Sequence, residues 1–243
     1  MKRQIVLVMS IVIGLIFTCS PISIASVKER HEYEQTGKVF WEANTEEANI
    51  ALTFDDGPHP ANTPELLDIL KAYHVKATFF VVGKWAEEYP EIVQRMIDEG
   101  HEVANHTYSH HYDEAVTKDV LMEEIDHTNQ ILSETVGIRP TYFRPVGGYY
   151  TDAIIDAALD LDQNVLLWSW HQDPRDWAGT PTKKIVSHII EHAQAGDVVL
   201  LHDGGGDRQE TLRAVKLVIP ILKHQGYQFV TASELLQPNP LME

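Results

Sequence analysis

Along this chain, short apolar runs alternate with longer stretches whose apolar positions recur every three to four residues. The runs are Ile50 to Phe54, Thr78 to Val82, Glu102 to Ala104, Tyr142 to Phe143, Val165 to Trp170, Val198 to Leu201 and Gln228 to Thr231. Their lengths and their β-branched and aromatic content predict about seven strands. The stretches between them carry helix start and stop signals. Asn62 or Thr63 is placed to cap, Pro64 sits in a first turn, and Leu66, Leu67, Ile69 and Leu70 form a buried stripe; Pro90 opens a second helix and Gly100 closes it. Further helices are expected over about 118–135, 152–159, 181–195 and 210–225, the last one bent by Pro220. Strands alternating with helices mean βα units, and about seven of them predict a barrel-like α/β domain. In such a barrel the reactive residues collect on the loops after strand C-termini.

Residues 1–25 stand apart from this pattern. Lys2 and Arg3 precede an apolar run from Ile5 to Phe17, and Ser23 and Ala25 supply small side chains beyond it. That is the anatomy of an export signal, with cleavage expected near Ala25. Two alternatives stay open: an uncleaved membrane anchor, although the run is short of the roughly 20 apolar residues a spanning helix needs, and a lipid on Cys19, for which Thr18 is a poor neighbour. Each places the remainder outside the cytosol. Residues 26–47 are polar, without sustained period, and are read as a spacer and entry segment ahead of a single catalytic domain at 48–238.

Composition narrows the function. Cys19 is the only cysteine and leaves with the signal, so neither disulfides nor thiol chemistry serve the exported protein. The net charge is −17; Lys2 and Arg3 are the only charges in the signal, so without it the charge falls to −19. A chain this acidic is a poor partner for nucleic acid or an anionic membrane face, where Lys and Arg must neutralise phosphate. A neutral or cationic substrate fits, bound by a monomer.

Candidate chemistry gathers at the strand ends. The first strand runs into Thr53-Phe54-Asp55-Asp56-Gly57-Pro58. Adjacent carboxylates are costly without a neighbouring positive charge, which a divalent metal would supply; the alternative is a plain turn, since Asp, Gly and Pro all favour one. The third strand ends at Asn105-His106-Thr107-Tyr108-Ser109-His110. Two histidines four apart share a face if the segment turns helically. Their imidazoles suit zinc or a similar ion. With Asp56 they make three ligands, which leaves a position open for water, as catalytic sites require. Histidine pairs at this spacing also occur by chance on helix surfaces, and His74, His127, His188, His192 and His224 fall on expected helices.

Three later segments complete the pattern: Phe143-Arg144-Pro145-Val146-Gly147-Gly148, Asp173-Pro174-Arg175-Asp176-Trp177 and Leu200-Leu201-His202-Asp203. Five such motifs in this order and spacing resemble the polysaccharide deacetylases, the NodB-homology domain of carbohydrate esterase family four, over roughly Ile50 to Leu236. The resemblance implies a distorted (β/α) barrel. It also implies Asp55 as catalytic base, Asp56, His106 and His110 as ligands of one divalent metal, Arg144 as the partner of Asp55, and His202 as general acid tuned by Asp176. Gly147 would contribute a backbone amide to the oxyanion, while Trp177 and Leu200 would wall the acetyl groove. In this family the third motif is commonly Arg-Pro-Pro-Tyr-Gly. Here Val146 and Gly147 replace the second proline and the tyrosine, which keeps the amide, loses the ring, and leaves the sugar subsite undefined.

The expected activity is metal-dependent removal of N-acetyl groups from N-acetylglucosamine or N-acetylmuramic acid residues of peptidoglycan or a chitin-like polymer. Zinc is the expected metal, ahead of cobalt, manganese and nickel. An O-deacetylase of acetylxylan and a non-catalytic carbohydrate-binding wall protein are the alternatives. A glycosidase using Asp55 and Asp56 is disfavoured, because neighbouring residues do not flank a glycosidic bond at the required roughly 5 to 9.5 Å.

Overall fold

The computed structural model describes residues 28–111 and 116–237. Residues 1–25, expected as an export signal, lie outside the described residues, Cys19 with them. In chain order the elements are α1 (Arg30–Glu34), β1 (Val39–Phe40), β2 (Asn49–Asp55), α2 (Asn62–Ala72), β3 (Thr78–Val81), α3 (Gly83–Glu88), α4 (Pro90–Asp98), β4 (Glu102–Asn105), α5 (Lys118–Val136), β5 (Tyr142–Phe143), α6 (Asp152–Leu159), β6 (Asn164–Leu166), α7 (Thr182–His192), β7 (Val198–His202), α8 (Gln209–His224), β8 (Gln228–Phe229) and α9 (Ala232–Leu236). Seven strands lie in the order β1-β6-β5-β4-β3-β2-β7, and β8 pairs with β2 off that path. Every pairing is parallel, and the sheet curls into a half-barrel. Its two edges are drawn together where Ala43 N–H donates to the Gly196 carbonyl at 2.9 Å and Ser169 N–H to the Val198 carbonyl at 3.0 Å.

Alternation along the strands assigns the two faces. Leu52 and Phe54 of β2, with Phe79 and Val103, pack outward against Leu66, Leu67, Val215 and Ile219 of the surrounding helices. Ala51, Phe80, Ala104, Leu166 and Val198 point the other way and are closed off by Leu235 of α9. Thr53 and Asp55 share the inward face with Ala51. The small alanines there leave room among the strands for a large polar side chain, which Arg144 supplies: its guanidinium lies 3.9 Å from the centre of the Phe80 ring.

Several elements differ from the sequence expectation. The run Val165 to Trp170 is strand only as far as Leu166; Trp168 backs onto Gly148, Ser169 bonds to β7, and Trp170–Gln172 is a 3-10 turn. The run Gln228 to Thr231 stops at Phe229, because Thr231 and Glu234 form a capping box that starts α9. The six-residue α3 was not anticipated, being too short to show a period. Residues 26–47 contribute α1 and β1, with Val39 and Phe40 in register with Val165 and Leu166; two paired residues leave no alternation to read. Helix α8 runs through Pro220. Among the described residues no helix is long and apolar enough to cross a membrane.

Candidate active site

Strand register does the first part of the assembly. Asp55 ends β2 beside His202 at the end of β7, so two ionisable groups 147 residues apart in sequence meet at the same end of the sheet. Arg144, just past β5, is fully buried. Its Nη1 donates to Asp55 Oδ1 at 2.7 Å and Thr53 Oγ1 at 2.8 Å, Nε to the Leu166 carbonyl at 2.9 Å, and Nη2 to the Leu167 carbonyl at 2.7 Å. Burial lowers the Arg144 pKa and the Asp55 charge works against that; a guanidinium nonetheless stays a cation. Four bonds on a rigid fork fix where the Asp55 carboxylate points.

His202 is oriented in the same manner. Asp176 Oδ1 lies 2.8 Å from His202 Nδ1, while Asp176 Oδ2 accepts the His202 backbone N–H at 2.9 Å and the Thr211 hydroxyl at 2.8 Å. Burial by itself would lower the His202 pKa, but the Asp176 hydrogen bond and charge, with Asp55 and Asp56 behind them, raise it to about 9. Since Nδ1–H is committed to Asp176, Nε2 is the atom left to face a substrate. Leu200, two residues earlier on β7, shares the His202 face and is 3% exposed. Trp177 follows Asp176 directly and leaves about half its surface open, at 48%, with the Arg175 guanidinium 5.2 Å from its ring.

The third assembly is Asp56, His106 and His110. Asp56 Oδ1 lies 2.9 Å from His110 Nε2 and 3.5 Å from His106 Nε2. One ligand atom from each residue falls within 4.8 Å of the others, the one such grouping among the described residues. His106 Nδ1 sits 2.7 Å from the Arg144 carbonyl; a carbonyl only accepts, so Nδ1 carries the proton and Nε2 keeps a lone pair directed at the cluster. That tautomer, with two imidazoles and a carboxylate, fits a divalent ion. Burial raises the Asp56 pKa, but the hydrogen bond from His110 and the closeness of the His106 ring outweigh it and hold the carboxyl well below its usual range. The same bond raises His110 against the opposing effect of burial.

The His106 to His110 segment is not the helical turn that would put the two rings on one face. Thr107 and His110 adopt left-handed backbone conformations, with φ 67° and 54°, and the Thr107 hydroxyl accepts the His110 N–H at 3.1 Å. The rings still face one another, with centroids 5.2 Å apart. A side chain closing a tight turn achieves what helical period was expected to provide.

Gly147 lies in the 3-10 turn Val146–Gly148 with φ 65°. Its neighbour Gly148 leaves no room for a side chain: a Cβ there would come 2.3 Å from the Trp168 ring. Trp168 is half-buried against this turn, whereas Trp170 is 58% exposed. The stretch from Asp203 through Gly204-Gly205-Gly206 is pinned against the Asp55 turn and α2. Asp203 is buried, its N–H donates to the Asp55 carbonyl at 3.1 Å, its Oδ2 accepts the Thr63 hydroxyl, and Asn62 Nδ2 donates to the Asp203 and Gly206 carbonyls. Burial pushes the Asp203 carboxyl up to about 7. A Cβ on Gly57 would lie 2.3 Å from Asp203 Oδ2, so the Asp-Asp-Gly turn and the His-Asp turn interlock. An acid beside a glycine run resembles exposed loop, and no sequence signal marks it as buried.

Comparison with known proteins agrees with this geometry. The family described as polysaccharide deacetylase matches residues 42–166, and the chain belongs to that family. It is 46% identical over 208 residues to a peptidoglycan-N-acetylglucosamine deacetylase of Bacillus cereus, across 86% of this chain and 97% of the relative. Among solved structures it superposes with TM-score 0.82 and 34% identity on the Bc1960 peptidoglycan N-acetylglucosamine deacetylase, across 87% of this chain and 99% of that one. A family 4 acetyl xylan esterase from Clostridium thermocellum in complex with a cobalt ion superposes with TM-score 0.69 and 32% identity, across 77% and 89%. Within the family the chain stands among the polysaccharide N-deacetylases, amide hydrolases that depend on a metal.

Proposed function

We infer that this protein hydrolyses the acetamide of N-acetylglucosamine or N-acetylmuramic acid residues in peptidoglycan or a chitin-like polymer, with one zinc ion held by Asp56, His106 and His110. The observation that carries this reading is the meeting of a base and an acid, Asp55 and His202, on paired strands beside that three-ligand cluster. When bound, a divalent ion lowers the pKa of water toward about 7 and polarises the acetyl carbonyl.

The chain's own residues supply the remainder. Asp55, steered by Arg144, takes a proton from the water as its oxygen attacks the carbonyl carbon. The Gly147 N–H donates to the oxyanion, a type of donor worth about 2.7 to 4 kcal/mol in comparable sites. As the C–N bond breaks, His202 gives its proton to the departing nitrogen, and acetate and a free amino sugar leave. Leu200 and Trp177 shape the space for the acetyl methyl. The Asp55 carboxylate pairs with the Arg144 guanidinium, and Asp176 beside His202 favours its charged form. The protein is exported through residues 1–25 and acts as a monomer, either free or tethered through that segment, on wall polymers that meet an acidic enzyme without phosphate contacts.

The test is mass spectrometry of peptidoglycan fragments, chitin oligomers and acetylxylan treated with the purified protein, with His106→Ala alongside. The expected result is loss of acetyl from amino sugars in the wild type alone. Ester cleavage on xylan without amide cleavage, or glycan binding without release of acetate by zinc-loaded protein, would overturn it.

A further inference from the structure

Beyond the ligands themselves, one side chain organises the turn that carries two of them. We propose that Glu124 of α5 is a positioning residue for metal binding, holding the His106 to His110 turn in ligand geometry; the proposal rests on Asp56, His106 and His110 being the metal site. Glu124 lies outside the five segments that mark the family and outside every cluster assigned above.

The contacts converge on one atom. Glu124 Oε2 accepts the Tyr108 N–H at 3.1 Å, the Ser109 N–H at 2.7 Å and the Ser109 hydroxyl at 2.9 Å. Tyr108 and Ser109 stand between the two histidines, so the carboxylate grips the middle of the turn without touching either imidazole. The opposite side of the turn is held by α3: Gly83 N–H donates to the Thr107 carbonyl at 2.9 Å and Lys84 N–H to the Tyr108 carbonyl at 3.0 Å. The fit leaves no slack, because a Cβ on Gly83 would come 2.4 Å from Thr128 Oγ1 and 2.9 Å from the Tyr108 ring. The Tyr108 ring also stacks on His127 of α5 with centroids 3.9 Å apart.

Such holding is needed because the turn is strained. Thr107 and His110 both bear side chains in the left-handed region, which non-glycine residues occupy only where their surroundings over-determine it. Asn105 contributes, its Oδ1 accepting the Thr107 N–H at 2.8 Å while its Nδ2 donates to the Ile125 carbonyl and Asn129. Glu124 is the charged member of this set, and hydrogen bonds to an ionised acceptor are the stronger kind. Released from it, the middle of the turn relaxes toward ordinary backbone and His110 swings away from Asp56.

The experiment is titration of metal-free protein with zinc by calorimetry, with melting of the metal-free form measured in parallel, for wild type, Glu124→Ala, Glu124→Gln and His106→Ala. Removal of groups that orient metal ligands weakens metal binding by about 10- to 100-fold, and that is the loss expected for Glu124→Ala, with metal-free melting near wild type. Glu124→Gln, whose amide oxygen still accepts both N–H groups, is expected to recover most of the affinity. Zinc affinity in Glu124→Ala within about threefold of wild type, while His106→Ala loses binding, would overturn the role of Glu124 and leave the metal site standing; undiminished binding by His106→Ala would overturn the site itself. An equal loss in Glu124→Ala and Glu124→Gln that follows their metal-free melting would reduce Glu124 to a structural residue. Should Glu124→Ala not fold, Glu124→Asp, one methylene too short to reach the turn, replaces it and is held to a loss of about tenfold or more.

Discussion

The chain contains two histidine pairs with the same spacing, His106 with His110 and His188 with His192, and only one of them stands in a site. Their rings are about equally close, with centroids 5.2 Å and 4.8 Å apart. The difference lies in where the nitrogens point. On α7, His188 Nε2 is 3.0 Å from the His171 carbonyl and His192 Nδ1 is 2.8 Å from the His188 carbonyl, so each ring spends a different nitrogen on backbone. Asp197, the nearby buried acid, is occupied by His171 on Oδ1 and by Gln172 and Gln194 on Oδ2. In the His106 pair the Arg144 carbonyl takes Nδ1, Nε2 is left over, and Asp56 converges from another loop. Spacing brings two rings together; a third ligand and a forced tautomer make them a cluster.

The largest expected effects break this contrast outright. Asp56→Ala or His110→Ala should abolish tight zinc binding and lower kcat/KM for deacetylation by about 10³-fold or more, as the ion that activates water is lost; His188→Ala and His192→Ala should leave both unchanged. Retained zinc stoichiometry in Asp56→Ala, measured by elemental analysis, would sink the distinction. Next comes Asp55→Asn, which keeps the shape and removes the base. It should cost about 10²- to 10⁴-fold in kcat with zinc still bound, and a smaller cost in kcat than in KM would count against the assignment.

Arg144→Ala tests the buried half of the site as a structural unit. Removing one partner of a buried ion pair destabilises by about 3 to 5 kcal/mol, which denaturant unfolding would detect; a loss below about 1 kcal/mol would mean that Asp55 does not depend on Arg144. The pH profile is subtler. With the His202 pKa raised to about 9, the proton donor is charged below that value and lost above it, so kcat should fall as pH rises through about 9. Asp176→Asn removes the bond and charge that raise it, so the alkaline limb should move to lower pH; an unmoved limb would separate His202 from that titration. The smallest effect is on the other pair: the His188→Ala, His192→Ala double variant should shift stability by no more than about 0.5 kcal/mol per site, the usual range for surface changes.

Much of this was legible in advance. The runs at Ile50 to Phe54 and Val198 to Leu201 announce strands because they are buried on both sides and therefore continuously apolar. Their polar endings, Asp55-Asp56 and His202-Asp203, stand out because a strand core has no other use for them. Short or irregular elements escaped notice: β1 and α3 hold too few residues for a period to form. The histidine spacing after β4 puts both rings on one face only if the segment turns helically, and the hydroxyl of Thr107 closes a different turn. Asp203 and Glu124 were invisible as organisers, since their importance lies in partners at Thr63 and Ser109 that are 140 and 15 residues away.

The sequence by itself determined the succession of the longer strands and helices, the candidate groups Asp55, Asp56, His106, His110 and His202, and the end of the sheet where they would gather. These depend on local period and residue type, which the chain states directly. Tertiary structure decided which histidine nitrogen is free, which acid is buried and pushed up in pKa, and which of two equally spaced pairs meets a third ligand. Those outcomes depend on distances between residues far apart in the chain, and such distances exist only once the sheet has curled and brought its strand ends together.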